Sequence, residues 1–288
     1  MKKIALVLMG GGRLGAFEAG VCFVLSKLGF FKRVSFIVGT SAGGLNAIFI
    51  SKYRSQVKKV VDMWLSFKKN TDVYKGKIDV WGLIRCYFSK GKSVLNPQGL
   101  YKVLNDNFRG MKLKDLPIPV CLTGTNLTKQ KKEIYFPEQS KEYDLLDMAK
   151  VTSAIPGIFP CQEFDGVVKC DGGVLNNLPI ETAIKLGATH IIAIRCSPAN
   201  VPFTIFKNTA VNAVMNLIKT LLKFPETEMF EDIEKDYPNI KILTISPDKD
   251  LGDALNFEKG ITKETVDAGL KIGQEQLSIE ILNKFYNS

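Results

Sequence analysis

The chain of 288 residues is 45% hydrophobic and carries a net charge of +10 with a single histidine, enough apolar content for one large buried core and too much for a disordered chain. Six cysteines (Cys22, Cys86, Cys121, Cys161, Cys170, Cys196) form no C-x-x-C pair and no zinc spacing, which leaves no structural metal site in view and makes a reducing, cytoplasmic setting the expectation. No uninterrupted apolar run reaches membrane-spanning length, so any membrane contact is expected to be peripheral.

In chain order the sequence alternates strands and helices. Ile4 to Met9 is a continuous apolar run that enters Gly10-Gly11-Gly12 and not a cleavage site, so it reads as the first buried strand and not as a signal peptide. Gly15 to Leu28 has apolar residues at helical spacing and is closed by Gly29, and Val34 to Val38 is the next strand. That βαβ unit predicts parallel pairing.

Residues 51–115 hold fifteen Lys and Arg against five Asp, which is the whole net charge. They also hold both tryptophans, Trp64 and Trp81, with Phe67, Tyr74, Tyr87 and Phe88 among the lysines. The segment reads as a basic, mostly helical insertion. Aromatic rings beside lysines suit an anionic lipid surface; nucleic acid would use the same features but is not the expected partner, and a solvated basic surface accounts for the charge equally simply.

Strand character returns at Ile118 to Thr125 and Glu133 to Phe136, followed by a short helix at Asp144 to Lys150. Asp165-Gly166 sits at the centre of a two-residue hairpin turn. Pro179 to Leu186 reads as a helix, His190 to Ile194 as a strand, 203–224 as an amphipathic helix, Glu226 to Asp236 as an acidic stretch, Ile240 to Ile245 as a strand, and Glu258 to the C-terminus as one helix.

The stretch Val34 to Gly44 organises the rest. An apolar strand breaks at Gly39, Ser41 stands at the centre of Gly39-x-Ser41-x-Gly43, and a helix follows directly, the arrangement of a nucleophile elbow. Gly10-x-Gly12-x-x-Gly15 also opens a helix after a strand, as in dinucleotide-binding folds, yet no Asp or Glu occurs between Glu18 and Asp62 to hold a ribose. An oxyanion hole is the better use of Gly10, Gly11 and Gly12, whose N–H groups lie at the carboxyl edge of the first strand, with Ala42 adding the first N–H of the elbow helix.

A serine nucleophile needs a base. The only histidine, His190, falls at the start of a parallel strand, on the sheet edge opposite the nucleophile. A carboxylate is then the candidate. Asp171, in Lys169-Cys170-Asp171-Gly172-Gly173-Val174, stands out, although Asp-Gly-Gly on its own is equally a turn.

Together, Gly10-Gly11-Gly12-Arg13-Leu14-Gly15, Gly39-Thr40-Ser41-Ala42-Gly43, Ser153 to Pro160, Asp171-Gly172-Gly173-Val174 and Asn177-x-Pro179 occur in the order and spacing of the patatin-like phospholipase family, which the chain resembles over about residues 4–195. The resemblance implies a three-layer α/β/α fold around a mainly parallel sheet, with a catalytic domain at 4–195 and with 196–288 completing it. It implies a lipid acyl hydrolase of phospholipase A or lysophospholipase type, working without cofactor or metal through a dyad of Ser41 and Asp171. The family's basic residue after the three glycines is replaced here by Leu14, with Arg13 one place earlier as a candidate substrate contact. An acyltransferase using the same acyl-enzyme, or a non-catalytic lipid-docking module, would keep the same motifs.

Overall fold

A computed structural model describes residues 2–79, 81–82, 93–137, 143–198, 233, 235–258 and 260–288. Its centre is β1 (Ile4–Leu8), every residue of which is buried, as expected of an apolar run covered on both faces. Parallel to it lie β2 (Phe36–Gly39) on one side and β7 (His190–Ile194) on the other, with β8 (Lys241–Ile245) beyond β7 and β3 (Val120–Asn126) beyond β2. The antiparallel part is β4 (Lys131–Tyr135), β5 (Gln162–Phe164) and β6 (Val167–Asp171), giving eight strands in the order β5-β6-β3-β2-β1-β7-β8 with β4 also on β3. Asp165 and Gly166, both at positive φ (51° and 73°), make the two-residue turn between β5 and β6.

Because side chains alternate across a strand, the sheet feeds two cores. Leu6, Leu8 and Ile37 pack under α1 (Gly15–Lys27) and α2 (Ala42–Lys52), whereas Ala5, Val7, Phe36 and Val38 face Leu178, Ile180 and Ala183 around α6 (Ile180–Lys185). Helices therefore cover both faces of a mainly parallel sheet, and the expected three-layer architecture is what the chain adopts. Among the described residues the remaining helices are α3 (Lys58–Ser66), α4 (Gln98–Phe108), α5 (Leu145–Thr152), α7 (Ile261–Gln276) and α8 (Ile279–Asn287).

Two expectations change. The single C-terminal helix is two, broken at Leu277, with the Ser278 hydroxyl accepting from the Ile281 N–H to cap the second. Trp64, Phe67 and Tyr74, placed at a lipid surface by their lysine neighbours, are buried. On α3 the residues Val60, Val61 and Trp64 lie on one helical face, which turns inward and leaves Lys58 and Lys59 to solvent. Trp81, 74% exposed, is the aromatic of this set that faces outward. The helix expected at 203–224, most of the acidic stretch, Tyr87 and Phe88 lie outside the described residues. Among the described residues no helix is long and apolar enough to cross a membrane.

Candidate active site

Gly39 ends β2, and Ser41 adopts φ 53° and ψ −125° before α2 begins at Ala42. A non-glycine residue in that region is strained by about 1–3 kcal/mol, and such strain persists only where the surroundings hold it. Here the Ser41 N–H donates to Thr152 Oγ1 (3.0 Å) and the Thr40 N–H to the Leu8 carbonyl (3.2 Å). Gly43 permits the tight turn, since a Cβ there would stand 2.5 Å from the Leu8 oxygen.

The position of Asp171 follows from the ladders of β3. β2 and β4 both pair with Leu122, so they occupy opposite edges of β3; β4 and β6 both pair with residues 124–126 and are opposite for the same reason. Hence β2 and β6 share one edge. β2 runs parallel to β3 and ends with Gly39 at Leu122, while β6 runs antiparallel and ends with Asp171 at Gly124. Their carboxyl ends face each other across two residues of β3, about 7 Å, and the turn bearing Ser41 rises from that gap. Thr123 fills it from below, its hydroxyl 2.7 Å from that of Thr40. Gly172 passes so close to Thr123 that a Cβ would stand 2.2 Å from its Oγ1.

Asp171 is fully buried. Burial pushes its carboxyl up to about 7, against the opposing pull of the Ser41 hydroxyl and of the Gly173 N–H, which donates to Oδ1 at 2.7 Å. The Asp171 N–H is held by the Ala154 carbonyl (3.0 Å). Oδ2 is buried with no hydrogen-bond partner among the described residues.

Of the glycine loop, Gly11 and Gly12, together with Ala42, have N–H groups with no protein acceptor among the described residues. Gly10 differs from expectation. Its N–H donates to the Asn177 carbonyl (3.0 Å) and is no longer available to an oxyanion, and a Cβ there would collide with Asn177 Oδ1 at 2.2 Å. Gly15 opens α1, and its carbonyl accepts from Asn46 Nδ2 at 2.8 Å.

Arg13 is the clear correction. It is completely buried and spends its donors on the protein: Nε donates to the Asp253 carbonyl (3.1 Å), Nη2 to that of Leu251 (2.6 Å), and Nη1 to the Ile261 carbonyl (3.3 Å) and the Thr265 hydroxyl. It ties the glycine loop to the C-terminal segment. His190 lies at the other sheet edge as expected: it pairs with Ile4 while Leu8 pairs with Gly39, four residues or about 13 Å further along. It packs edge-on against Phe285, with Nδ1 2.9 Å from Thr189 Oγ1.

A buried polar chain supports the loop from beneath. Glu18 accepts from the Met9 N–H (2.7 Å) and from Asn46 Nδ2 (2.8 Å), and Asn46 Oδ1 accepts from Trp64 Nε1 (2.7 Å). Burial raises the Glu18 carboxyl to about 8. Neither residue was singled out from the sequence; the signal available was a lone acid and a lone amide within the buried, apolar runs of α1 and α2. Beside the site a small cavity of about 50 Å³ is lined by Ser41 and by the apolar side chains of Leu45, Phe49, Phe67, Phe159 and Phe257.

With this geometry in view, comparison with known proteins is informative. The family model described as patatin-like phospholipase matches residues 6–184. The chain is 30% identical over 196 residues to neuropathy target esterase sws of Drosophila melanogaster, which covers 67% of this chain but only 13% of that much longer protein. It is 25% identical over 272 residues to the uncharacterized protein YjjU of Escherichia coli, covering 86% of this chain and 70% of that one. In three dimensions it resembles VipD from Legionella pneumophila with a TM-score of 0.51 at 14% identity, over 96% of this chain and 66% of VipD; that likeness concerns the fold alone.

Proposed function

Because the chain belongs to the patatin-like phospholipase family, we propose that it hydrolyses carboxylic esters of lipids, with Ser41 as nucleophile and Asp171 as the base that activates it. The observation that carries this reading is the meeting of the β2 and β6 carboxyl ends on one edge of β3, which sets a strained serine beside a buried carboxylate. Ser41 Oγ attacks the acyl carbonyl as Asp171 takes its proton; the N–H groups of Gly11, Gly12 and Ala42 stabilise the oxyanion. Collapse expels the alcohol, which takes the proton back from Asp171, and leaves the acyl chain on Ser41 beside the apolar cavity. Water, deprotonated by Asp171, then attacks the acyl carbon; its bond to Ser41 Oγ breaks, Ser41 takes the proton back from Asp171, and the fatty acid leaves. A serine-directed fluorophosphonate should add one mass increment to the wild type, on the peptide containing Ser41, and none to Ser41→Ala. A labelled Ala variant would falsify the assignment.

We extend the proposal to docking on anionic bilayers through the exposed lysines of 51–115 and Trp81. With Trp64 and Phe67 assigned to the cavity wall, this rests on charge and one ring. Changing Lys58, Lys59, Lys68 and Lys69 all to Gln should abolish co-sedimentation with anionic vesicles and hydrolysis of vesicle lipid while leaving turnover of a soluble short-chain ester unchanged. Wild-type binding should weaken as the Debye length falls from ~10 Å at 0.1 M to ~3 Å at 1 M salt. Binding indifferent to salt and to these lysines would reduce the segment to a solvated surface.

A further inference from the structure

The β5–β6 hairpin brings two thiols together beside the active site. The ladder pairs Gln162 with Lys169, Glu163 with Val168 and Phe164 with Val167, and the same register carried one residue beyond the end of β5 would place Cys161 opposite Cys170. Directly opposed residues of an antiparallel pair project to the same face with Cα atoms about 4.5–5.5 Å apart, inside the window of about 4.4–6.8 Å that a disulfide spans. The two thiols differ in the way a redox pair needs. Cys161 is partly exposed and Cys170 is fully buried. The neighbouring Cys170 draws the Cys161 thiol down to about 7, while the Cys161 sulfur and burial push Cys170 up. An accessible thiolate backed by a protonated neighbour is the arrangement of an attacking and a resolving cysteine.

We propose that Cys161 and Cys170 are a peroxide-responsive dithiol that closes to a cross-hairpin disulfide next to Asp171. The Cys161 thiolate attacks one peroxide oxygen; an S–O bond forms, the O–O bond breaks, and the leaving hydroxide becomes water by taking up a proton. Cys170 sulfur then attacks the sulfenic acid; the S–S bond forms, the S–O bond breaks, and the departing hydroxide takes the Cys170 proton as a second water. Two thiols are oxidised and one peroxide is reduced. The bond would anchor the far end of the segment that starts at Ala154, the residue holding the Asp171 N–H, and that carries Phe159 of the cavity wall.

The test is independent of the hydrolase reading. Reduced full-length protein is treated with a small molar excess of hydrogen peroxide, free thiols are blocked with iodoacetamide, and intact and peptide masses are measured. The oxidised wild type should carry two fewer alkyl groups than protein kept reduced and blocked after unfolding, and give a linked peptide pair joining Cys161 to Cys170 that dithiothreitol releases. Cys170→Ala should stop at a sulfenic acid on Cys161 that dimedone traps, and Cys161→Ser should give neither product. Full alkylation of both cysteines after unfolding, a disulfide of any other pairing, or sulfinic acid at Cys161 with no linked product in the wild type would each overturn the proposal.

Discussion

Asp171→Asn is expected to fold and to lose about 10²–10⁴-fold in turnover of a soluble short-chain ester, the range a positioned general base contributes. Asn keeps the shape and can still accept from the Gly173 N–H, but it cannot take the Ser41 proton. In the wild type, with the carboxyl raised to about 7 by burial, activity should climb about tenfold per pH unit below that value and level off above it. Stability runs the other way. A carboxyl whose folded pKa lies above its unfolded value favours folding fully below the unfolded value, near 3.8, and that contribution is lost as pH rises through about 7. Asp171→Asn should therefore gain stability relative to wild type as pH rises from about 4 to about 7, and hold that gain above it. His190→Gln, altered at the opposite sheet edge, should retain turnover and lose stability. An active Asp171→Asn enzyme, or a folded but inactive His190→Gln enzyme, would remove Asp171 from the base role.

The largest stability effect is expected at Arg13. Replacing it with Met removes the donor to three carbonyls and a hydroxyl at once and leaves acceptors without partners next to the glycine loop. A loss of about 3–5 kcal/mol in unfolding free energy is expected from the disruption of a buried charged network, read from the urea midpoint. Arg13→Lys should recover little, because an ammonium cannot present the same planar fork of donors. A variant as stable as wild type but with a selectively raised KM would restore the role of a substrate contact.

The parts of the site legible in the sequence were those fixed by short-range chemistry. Gly39-x-Ser41-x-Gly43 specifies a sharp strand-to-helix turn whatever surrounds it, and the single histidine constrained the choice of base. Asp171 needed the combination of motifs, because Asp-Gly-Gly is locally ambiguous. What stayed hidden depends on distant partners. Nothing near Arg13 announces that its acceptors lie at 251–265, and nothing near Gly10 announces that Asn177 takes its N–H. The inward turn of Trp64 was readable, since Val60, Val61 and Trp64 share a helical face, but charge was given more weight than periodicity there. Ser278 before Ile279 was likewise a capping signal inside what was taken as one continuous helix.

The shared edge of β3 also bears on how the enzyme comes into being. The proposed nucleophile and base are 130 positions apart in sequence, and no local element joins them; the register of β3, with β2 against Leu122 and β6 against Gly124, brings them within reach. β1, α1 and β2, which build the turn bearing Ser41, are contiguous in the chain, whereas Asp171 arrives only with β6. A folding chain in which β6 has not docked on β3 would hold the turn without its proposed base, so hydrolysis by this dyad would report long-range strand pairing and not the local turn.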